Sequence, residues 1–402
     1  MTILKSVLTN FFSHKMNKCF SIVLFLFALN FNTYAEIITD QDFGFSLDIP
    51  EGYELTEQTQ DGMSLLFSHP NIPVTFIIKI VMENKQTPSS DSLKKQLNKL
   101  SAQYDVNSFS WSQNQCSIAS FKMVLDQGYE GWAVCTPLKI ADSYLTLMCY
   151  APSSSNGGCE QFIISTLNSL NLEFSNNKSE CGIFTTFAFP QEGSYPVTLN
   201  IGGKKIDVQL DKCDFDASQF IVDLEFSVLK LYANHKMWKE AWQRYYRRIY
   251  ADNSSRLYEI SKKIYKELYP LAKQKNPDNP DIAFAQFLLS WVQSFEYKRE
   301  QTKNSSDFTP LPKVLCGTGN DCDSRSMLIA VILSNCNYDA IMLISREYSH
   351  AMVAVNIPAP GQTYYLKEKD SEYIFGETTA QVTWGMIAQN QSDRTKWIPV
   401  DF

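Results

Sequence analysis

The cysteine that directly precedes a wholly apolar helical stretch constrains the fold of this chain most strongly. Cys322 lies in the run Gly-Thr-Gly-Asn-Asp-Cys-Asp-Ser-Arg (317–325), and every residue from Met327 to Leu333 is apolar. A helical stretch without a polar face predicts a buried helix. The thiol is therefore predicted at the N-terminus of a core helix, where unpaired N–H groups and the helix dipole favour the nucleophilic thiolate.

A histidine and a carboxylate follow at similar intervals. His350 lies in the strand-like run 348–355, and Glu377 lies in the Gly-Glu-Thr-Thr run 376–379. A cysteine on a helix, a histidine on one strand and an acid on the next form a set of nucleophile, base and orienting group. We therefore predict a Cys322–His350–Glu377 triad.

These three motifs resemble those of the transglutaminase-like cysteine peptidases of bacteria, which are relatives of the papain-like fold. The motifs are Asp-Cys-Asp (321–323), His-Ala (350–351) and Glu-Thr-Thr (377–379), and the resemblance covers roughly residues 220–402. It implies an α+β core in which helices pack on an antiparallel sheet. The chain departs from the family at Glu377, because the third member there is most often Asp.

The resemblance implies acyl transfer through a thioester, ending in hydrolysis or in transamidation. The developing oxyanion needs donors, and the backbone N–H of Cys322 is one candidate. The helix that contains Gln293 lies beside the nucleophile in the family, so Gln293 is a second candidate; a solvated glutamine is the alternative. Asp321 and Asp323 are predicted to cap N–H groups at the helix start.

Two other classes of protein compete with an enzyme. The first is an inactive binding or scaffold protein of the cell envelope that keeps the fold. The second is a metal protein using three cysteines and a histidine, but the spacing of Cys316 and Cys322 lacks the two-residue interval typical of zinc ligands. The Asp-x-Asp pair also lacks the glycine of a calcium loop. We expect no metal and no cofactor.

A chain of 402 residues exceeds the usual size of a single core, so at least two domains are expected. The composition shifts predict a signal peptide (1–35), an α+β accessory domain (36–174), a linker with a β-hairpin (175–215) and the catalytic domain (216–402). The hairpin is expected to turn at Gly202-Gly203, and helices are expected near 217–250, 254–274 and 281–297, the last with Asn279 as N-cap.

The N-terminus predicts export. Lys15 and Lys18 precede the apolar run 20–29, and Thr-Tyr-Ala (33–35) precedes Glu36, which is typical of a signal peptide cleaved after Ala35. This run of ten residues is about half of the roughly 20 that a spanning helix requires. Met16 is an alternative start. The mature protein is expected to be periplasmic or secreted, with no membrane span.

An odd number of cysteines would remain after cleavage, because Cys19 leaves with the signal peptide. In an oxidising compartment this predicts disulfides and one free thiol, Cys322. Sequence proximity suggests the pairs Cys116–Cys135, Cys149–Cys159, Cys181–Cys213 and Cys316–Cys336. Spacing alone does not fix the connectivity, and buried apolar thiols are the alternative.

The accessory domain is predicted to be non-catalytic. A strand near Phe45–Ile49, another near 76–81 and a helix with apolar residues from Leu93 to Tyr104 are expected, and His69 is the only histidine. The opening segment 44–53 weakly resembles the small PsbP domains, which implies only a fold. The net charge of −7 argues against nucleic-acid binding. The expected partners are a protein or peptide substrate and, through this domain, a component of the cell envelope.

Overall fold

The protein mixes helices with antiparallel sheets. The computed structural model describes residues 37–83, 85–172, 181–296, 305–317 and 321–402. Its chain divides into two compact units, one of Met1–Asn176 with Lys230–Ala241 and the other of Asn177–Leu229 with Trp242–Phe402. The predicted signal peptide, the boundary at residue 174 and the Ser/Asn-rich start of the linker lie outside the described residues.

The first unit contains two antiparallel sheets. One has the order β1-β2-β10, and the other has seven strands in the order β3-β4-β5-β9-β8-β7-β6. The strands are β1 (Ile37–Asp40), β2 (Phe45–Asp48), β3 (Glu54–Gln58), β4 (Ser64–Ser68), β5 (Thr75–Met82), β6 (Gln103–Trp111), β7 (Asn114–Val124), β8 (Gly128–Pro137), β9 (Ser143–Pro152) and β10 (Leu170–Leu172). The predicted strands near Phe45 and Phe76 are confirmed as β2 and β5.

Helices α1 (Ser89–Lys99) and α2 (Asn156–Asn168) complete the first unit. The α1 side chains Leu93 and Leu97 are fully buried against the seven-stranded sheet. The expected continuation of this helix to Tyr104 is wrong, because α1 ends at Lys99 and Tyr104 belongs to β6. The left-handed backbone at Ser101, with φ of 52°, stops the helix and turns the chain into the strand.

His69 of the first unit has structural partners. Its Nε2 lies 3.0 Å from the Glu51 carbonyl oxygen, and its Nδ1 accepts the backbone N–H groups of Asn71 and Ile72. The ring is buried. Both nitrogens are therefore used to fix a loop, which leaves neither for proton transfer.

The second unit contains the predicted hairpin, β11 (Ser194–Ile201) and β12 (Lys204–Asp211), which turns at Gly202-Gly203 with positive φ at both glycines. Its helices are α3 (Ile183–Ala188), α4 (Asp214–Lys230), α5 (Trp238–Arg256), α6 (Tyr258–Lys275), α7 (Pro280–Gln293), α8 (Leu311–Leu315) and α9 (Cys322–Asn335). The first residues of α5, up to Ala241, belong to the first unit. The single helix expected over 217–250 is thus two helices. The Asn279 cap of α7 is confirmed, since its side chain accepts Ile282 N–H at 3.2 Å.

A five-stranded antiparallel sheet lies against α9 in this unit, in the order β15-β16-β14-β13-β17. Its strands are β13 (Ala340–Ser345), β14 (His350–Val355), β15 (Thr363–Leu366), β16 (Ser371–Gly376) and β17 (Ile398–Val400). Every residue of α9 from Met327 to Leu333 is fully buried, as the sequence predicts. Among the described residues, no helix has the length and apolar character needed to cross a membrane.

No disulfide joins any of the nine cysteines of the described ranges. For the pair Cys116–Cys135 the sheet explains this. Ser117 lies opposite Cys135 on the neighbouring strand, whereas the Cys116 thiol contacts Thr136 at 3.2 Å. Side chains of consecutive strand residues point to opposite faces, so these two thiols lie on opposite faces of the sheet. The suggested pairing would require a change of register.

Candidate active site

Cys322 is the first residue of α9, as the sequence predicts. The preceding residue, Asp321, is the N-cap, and its side chain accepts the backbone N–H of Ser324 at 3.2 Å. The thiol residue is half-buried, while the helix after its first turn is buried on all sides. The cap and the apolar helix body together fix the cysteine at the positive end of the helix dipole.

The predicted base and orienting acid lie at the same edge of the sheet. His350 begins β14 and Glu377 directly follows β16, and these two strands pair antiparallel with Val353 opposite Gly376. His350 Nε2 lies 2.7 Å from Glu377 Oε2, and the two side chains are only 11% and 8% exposed. A buried contact of this length fixes the ring orientation and leaves Nδ1 as the second ring nitrogen.

The second oxygen of the Glu377 carboxylate is also bound. Its Oε1 accepts the Thr379 backbone N–H at 2.7 Å and the Thr379 hydroxyl at 2.6 Å. Burial alone would raise the pKa of Glu377, but the hydrogen bond and charge of His350 and the two bonds from Thr379 outweigh it and hold that pKa below its usual value. The carboxyl is therefore ionised at neutral pH and can stabilise an imidazolium.

The competing acids Asp370 and Glu372 have other partners. Asp370 accepts the Tyr365 hydroxyl, and Glu372 lies 3.4 Å from the Thr363 hydroxyl. Both bonds are exposed and both acids are on the β15–β16 hairpin. Glu377 is the carboxylate that contacts His350.

Hydroxyl groups link the cysteine helix to both of the other motifs. The Thr378 hydroxyl lies 3.4 Å from the Cys322 carbonyl oxygen and 3.4 Å from the Ser326 hydroxyl. The Ser326 hydroxyl in turn lies 3.4 Å from the Ala351 carbonyl oxygen. Thr378 follows Glu377 and Ala351 follows His350, so the first turn of α9 is bound to both strand ends that supply the other two groups.

Arg325 is a positioning residue that sequence reasoning missed. Its side chain is 1% exposed, and its guanidinium donates to the carbonyl oxygens of Thr378 at 3.3 Å and of Phe295 at 2.9 Å. The sequence signal for it is an arginine two residues before the wholly apolar stretch Met327 to Leu333 of α9. A buried guanidinium needs acceptors, and the carbonyls of Thr378, next to Glu377, and of Phe295, just after α7, supply them.

The structure gives the predicted oxyanion donor Gln293 two carbonyl partners. Its Nε2 donates to the Glu377 carbonyl oxygen at 2.8 Å and to the Val382 carbonyl oxygen at 3.0 Å. An amide nitrogen has two hydrogens, so both are used. Gln293 thus fastens the end of α7 to the loop that follows Glu377, which makes it a positioning residue in this geometry.

Replacement of Gln293 by Leu distinguishes the two roles. Loss of both bonds leaves two carbonyls unpaired, so we expect unfolding to become easier by about 1–3 kcal/mol, with a raised KM and little change in kcat for any substrate turned over. Denaturant titration and steady-state kinetics measure these effects. A kcat reduced by roughly 10²–10³ with unchanged stability would instead assign Gln293 to the oxyanion.

Three carboxylates gather beside the start of α9. Asp307, Asp321 and Asp323 each place an oxygen within 4.8 Å of the others, and the Tyr246 hydroxyl donates to Asp323 at 2.8 Å. Burial, and then the neighbouring charge of Asp323, raise the pKa of Asp321 to about 9; burial also raises the pKa of Asp323. Among the described residues, these three carboxylates are the set of side chains that could hold a cation. When no cation is bound, the raised pKa values of Asp321 and Asp323 indicate that a proton is retained there.

The Asp321 proton predicts a pH dependence of stability. An Asp whose pKa rises from about 3.9 in the unfolded chain to about 9 in the fold stabilises the fold fully below pH 4, and this contribution is lost as the pH rises towards 9. Asp321→Asn keeps a capping side chain but does not titrate. The melting temperature, measured at pH 5, 7 and 9 in the presence of a chelator, should change less with pH in the variant than in the wild type. An equal pH dependence in both proteins would contradict a retained proton on Asp321.

A cavity of about 530 Å³ opens beside His350 and Glu377. Most of its wall comes from the segment that follows Glu377. Its lining residues are Tyr348, Ser349, His350, Glu377, Thr379, Ala380, Val382, Met386, Ile387, Ala388 and Gln391. The cavity therefore shares two members of the predicted triad.

Comparison with known proteins adds little to this geometry. No protein-family model matches the chain, and no curated protein matches it. Three solved structures are distantly similar. Cyanobacterial PsbP of Synechocystis is 9% identical over 39% of this chain and 98% of that one, with a TM-score of 0.29, and the Ran-binding protein Mog1p of Saccharomyces cerevisiae is 8% identical over 35% of this chain and 96% of that one, with a TM-score of 0.28. A protein of Bacteroides thetaiotaomicron is 11% identical over 53% of this chain and 74% of that one, with a TM-score of 0.24. TM-scores this low establish neither a shared fold nor a shared activity.

Proposed function

We propose that this protein is an exported thiol acyl-transfer enzyme that cleaves or transamidates peptide bonds with Cys322, His350 and Glu377. The observation that carries the proposal is the buried 2.7 Å contact between His350 Nε2 and Glu377 Oε2, beside the helix that begins at Cys322. The packing of α9 on an antiparallel sheet agrees with the papain-like core that the three motifs imply. Export remains a prediction from residues 1–35.

The first half of the reaction forms a thioester. Nδ1 of His350 takes the Cys322 proton, because Nε2 is bound to Glu377. The thiolate attacks the substrate carbonyl carbon, and the carbonyl electron pair moves to oxygen. When this pair returns, the carbon–nitrogen bond breaks and the imidazolium gives its proton to the leaving amine. The products are an acyl-enzyme and a free amine.

The second half regenerates the thiol. His350 removes a proton from water or from an acceptor amine, which attacks the thioester carbonyl. The carbon–sulfur bond then breaks, and the Cys322 thiolate recovers the proton from His350. Water gives a carboxylic acid, and an amine gives a new amide. Glu377 stays ionised throughout and stabilises the imidazolium that forms twice in each cycle.

The test is incubation of the purified protein with peptides made by digesting a denatured whole-cell protein extract. New peptide termini should appear with the wild-type protein and be missing with Cys322→Ala, as mass spectrometry detects. Addition of a labelled primary amine separates the two outcomes, because incorporation of label identifies transamidation. The absence of new termini and of label would favour the inactive binding protein.

A further inference from the structure

The cavity beside His350 has a chemistry that selects among substrates. Apolar side chains dominate the wall beyond the triad, with Val382, Met386 and Ile387 as its larger members. Met386 is 55% exposed, which is high for a large apolar side chain. No lysine, arginine or aspartate is among the lining residues. The cavity thus offers mainly apolar contact, with a few uncharged polar residues and, beyond His350 and Glu377, no charged residue to pair with a charged substrate group.

The two ionisable side chains that line the cavity, His350 and Glu377, already bind each other. The Glu377 carboxylate binds His350 through one oxygen and Thr379 through the other. A cationic substrate side chain would have to compete for this carboxylate, and an anionic one would lie close to it. Either charge would also lose water on entry, and the uncharged polar residues of the lining, Tyr348, Ser349 and Gln391, could replace only part of that hydration.

The wall that bears Met386 is held in place before any substrate arrives. Gln293 donates to the Val382 carbonyl oxygen at 3.0 Å, and the Trp384 N–H donates to Gln286 Oε1 at 3.2 Å. The Gly385 N–H donates to the Phe375 carbonyl oxygen at 2.7 Å. Gly385 has φ of 81°, and a Cβ there would lie 2.7 Å from the Gly361 Cα. A wall fixed by these contacts costs little ordering on binding.

We propose that this cavity binds an uncharged aliphatic side chain of the peptide substrate, close to the bond that is cleaved, with Met386 and Val382 as the residues that set this preference. The inference rests on the function proposed above. A hydrophobic pocket distinguishes side chains that differ by one methylene by roughly 10- to 200-fold. Leucine or methionine should therefore be preferred over alanine by about 10-fold or more, and acidic or basic side chains should be excluded.

The peptide digest described above tests this when the residues on both sides of each new terminus are counted. With the wild-type protein, aliphatic residues should be enriched at one fixed position relative to the cleaved bond. Met386→Lys should move that position towards aspartate and glutamate, because the new ammonium pairs with an acid. Met82→Lys is the matched control, since Met82 is a 43% exposed methionine in the other unit, and its cleavage pattern should equal that of the wild type.

Two results overturn the proposal in distinguishable ways. Cleavage that depends on Cys322 but shows no aliphatic preference, or a preference unchanged by Met386→Lys, rejects the cavity as the subsite and leaves the enzyme intact. A lack of any cleavage, together with slow alkylation of Cys322, rejects the proposed function and this inference together.

Discussion

Cys322→Ala is expected to abolish turnover. The residues that line the cavity include no thiol that could replace it, and loss of a nucleophile in an assembled triad typically reduces kcat by roughly 10⁶. The fold should survive, because Cys322 is a half-buried first residue of α9 and the Asp321 cap and the apolar helix body remain. The measurement is release of new peptide termini, with circular dichroism to show that the variant is folded.

Cys336→Ala is the matched control for this variant. Cys336 is also a half-buried free thiol of the second unit, but it lies at the opposite end of α9, where its thiol contacts the Ser261 carbonyl oxygen at 3.5 Å. We expect normal turnover. Activity of Cys322→Ala near the wild-type rate would show that Cys322 is not the nucleophile.

Glu377→Gln is expected to reduce turnover by roughly 10⁴, the effect of the equivalent change in a serine-protease triad. A glutamine amide facing the ring would donate to His350 Nε2 and so favour the tautomer with its proton on Nδ1, which then cannot take the thiol proton. The amide also lacks the charge that stabilises imidazolium. Stability should change little in comparison, since the Gln oxygen can still accept the Thr379 N–H.

Glu372→Gln and Asp370→Asn complete this comparison. Both acids lie on the exposed hairpin and contact hydroxyls rather than His350, so kcat should be unchanged in both variants. Full activity of Glu377→Gln with a loss in either control would identify a different acid. Full activity in all three would reduce the triad to a pair of Cys322 and His350.

Much of the site could be predicted because its residues lie at element ends that the sequence marks. The apolar run after Cys322 fixed α9, and the polar cap at Asp321 fixed where it begins. His350 and Glu377 each adjoin a strand with a strongly apolar pattern. Neighbouring antiparallel strands then bring the start of one and the end of the other to the same edge, as β14 and β16 do.

The partners of Gln293 and the gathering of the three aspartates could not be predicted. Helical periodicity gives the face on which Gln293 lies, but its bonds depend on the path of an irregular loop that has no periodicity. Asp307 joins Asp321 only through tertiary packing. Proximity in sequence was also a poor guide to disulfide pairing. A one-residue offset between β7 and β8 places Cys116 and Cys135 on opposite faces of the sheet.

The rate of alkylation of Cys322 by iodoacetamide, measured against pH in the native protein, shows directly whether Cys322 and His350 form a reactive pair. Peptide mapping reports at once all nine thiols that follow residue 35, and His350→Ala serves as the comparison. We expect Cys322 to react well below pH 8 and faster than the other eight cysteines, and we expect this advantage to be lost in His350→Ala. A rate that rises only near pH 8.5, as for an unperturbed thiol, or that is unchanged in His350→Ala, would contradict this expectation.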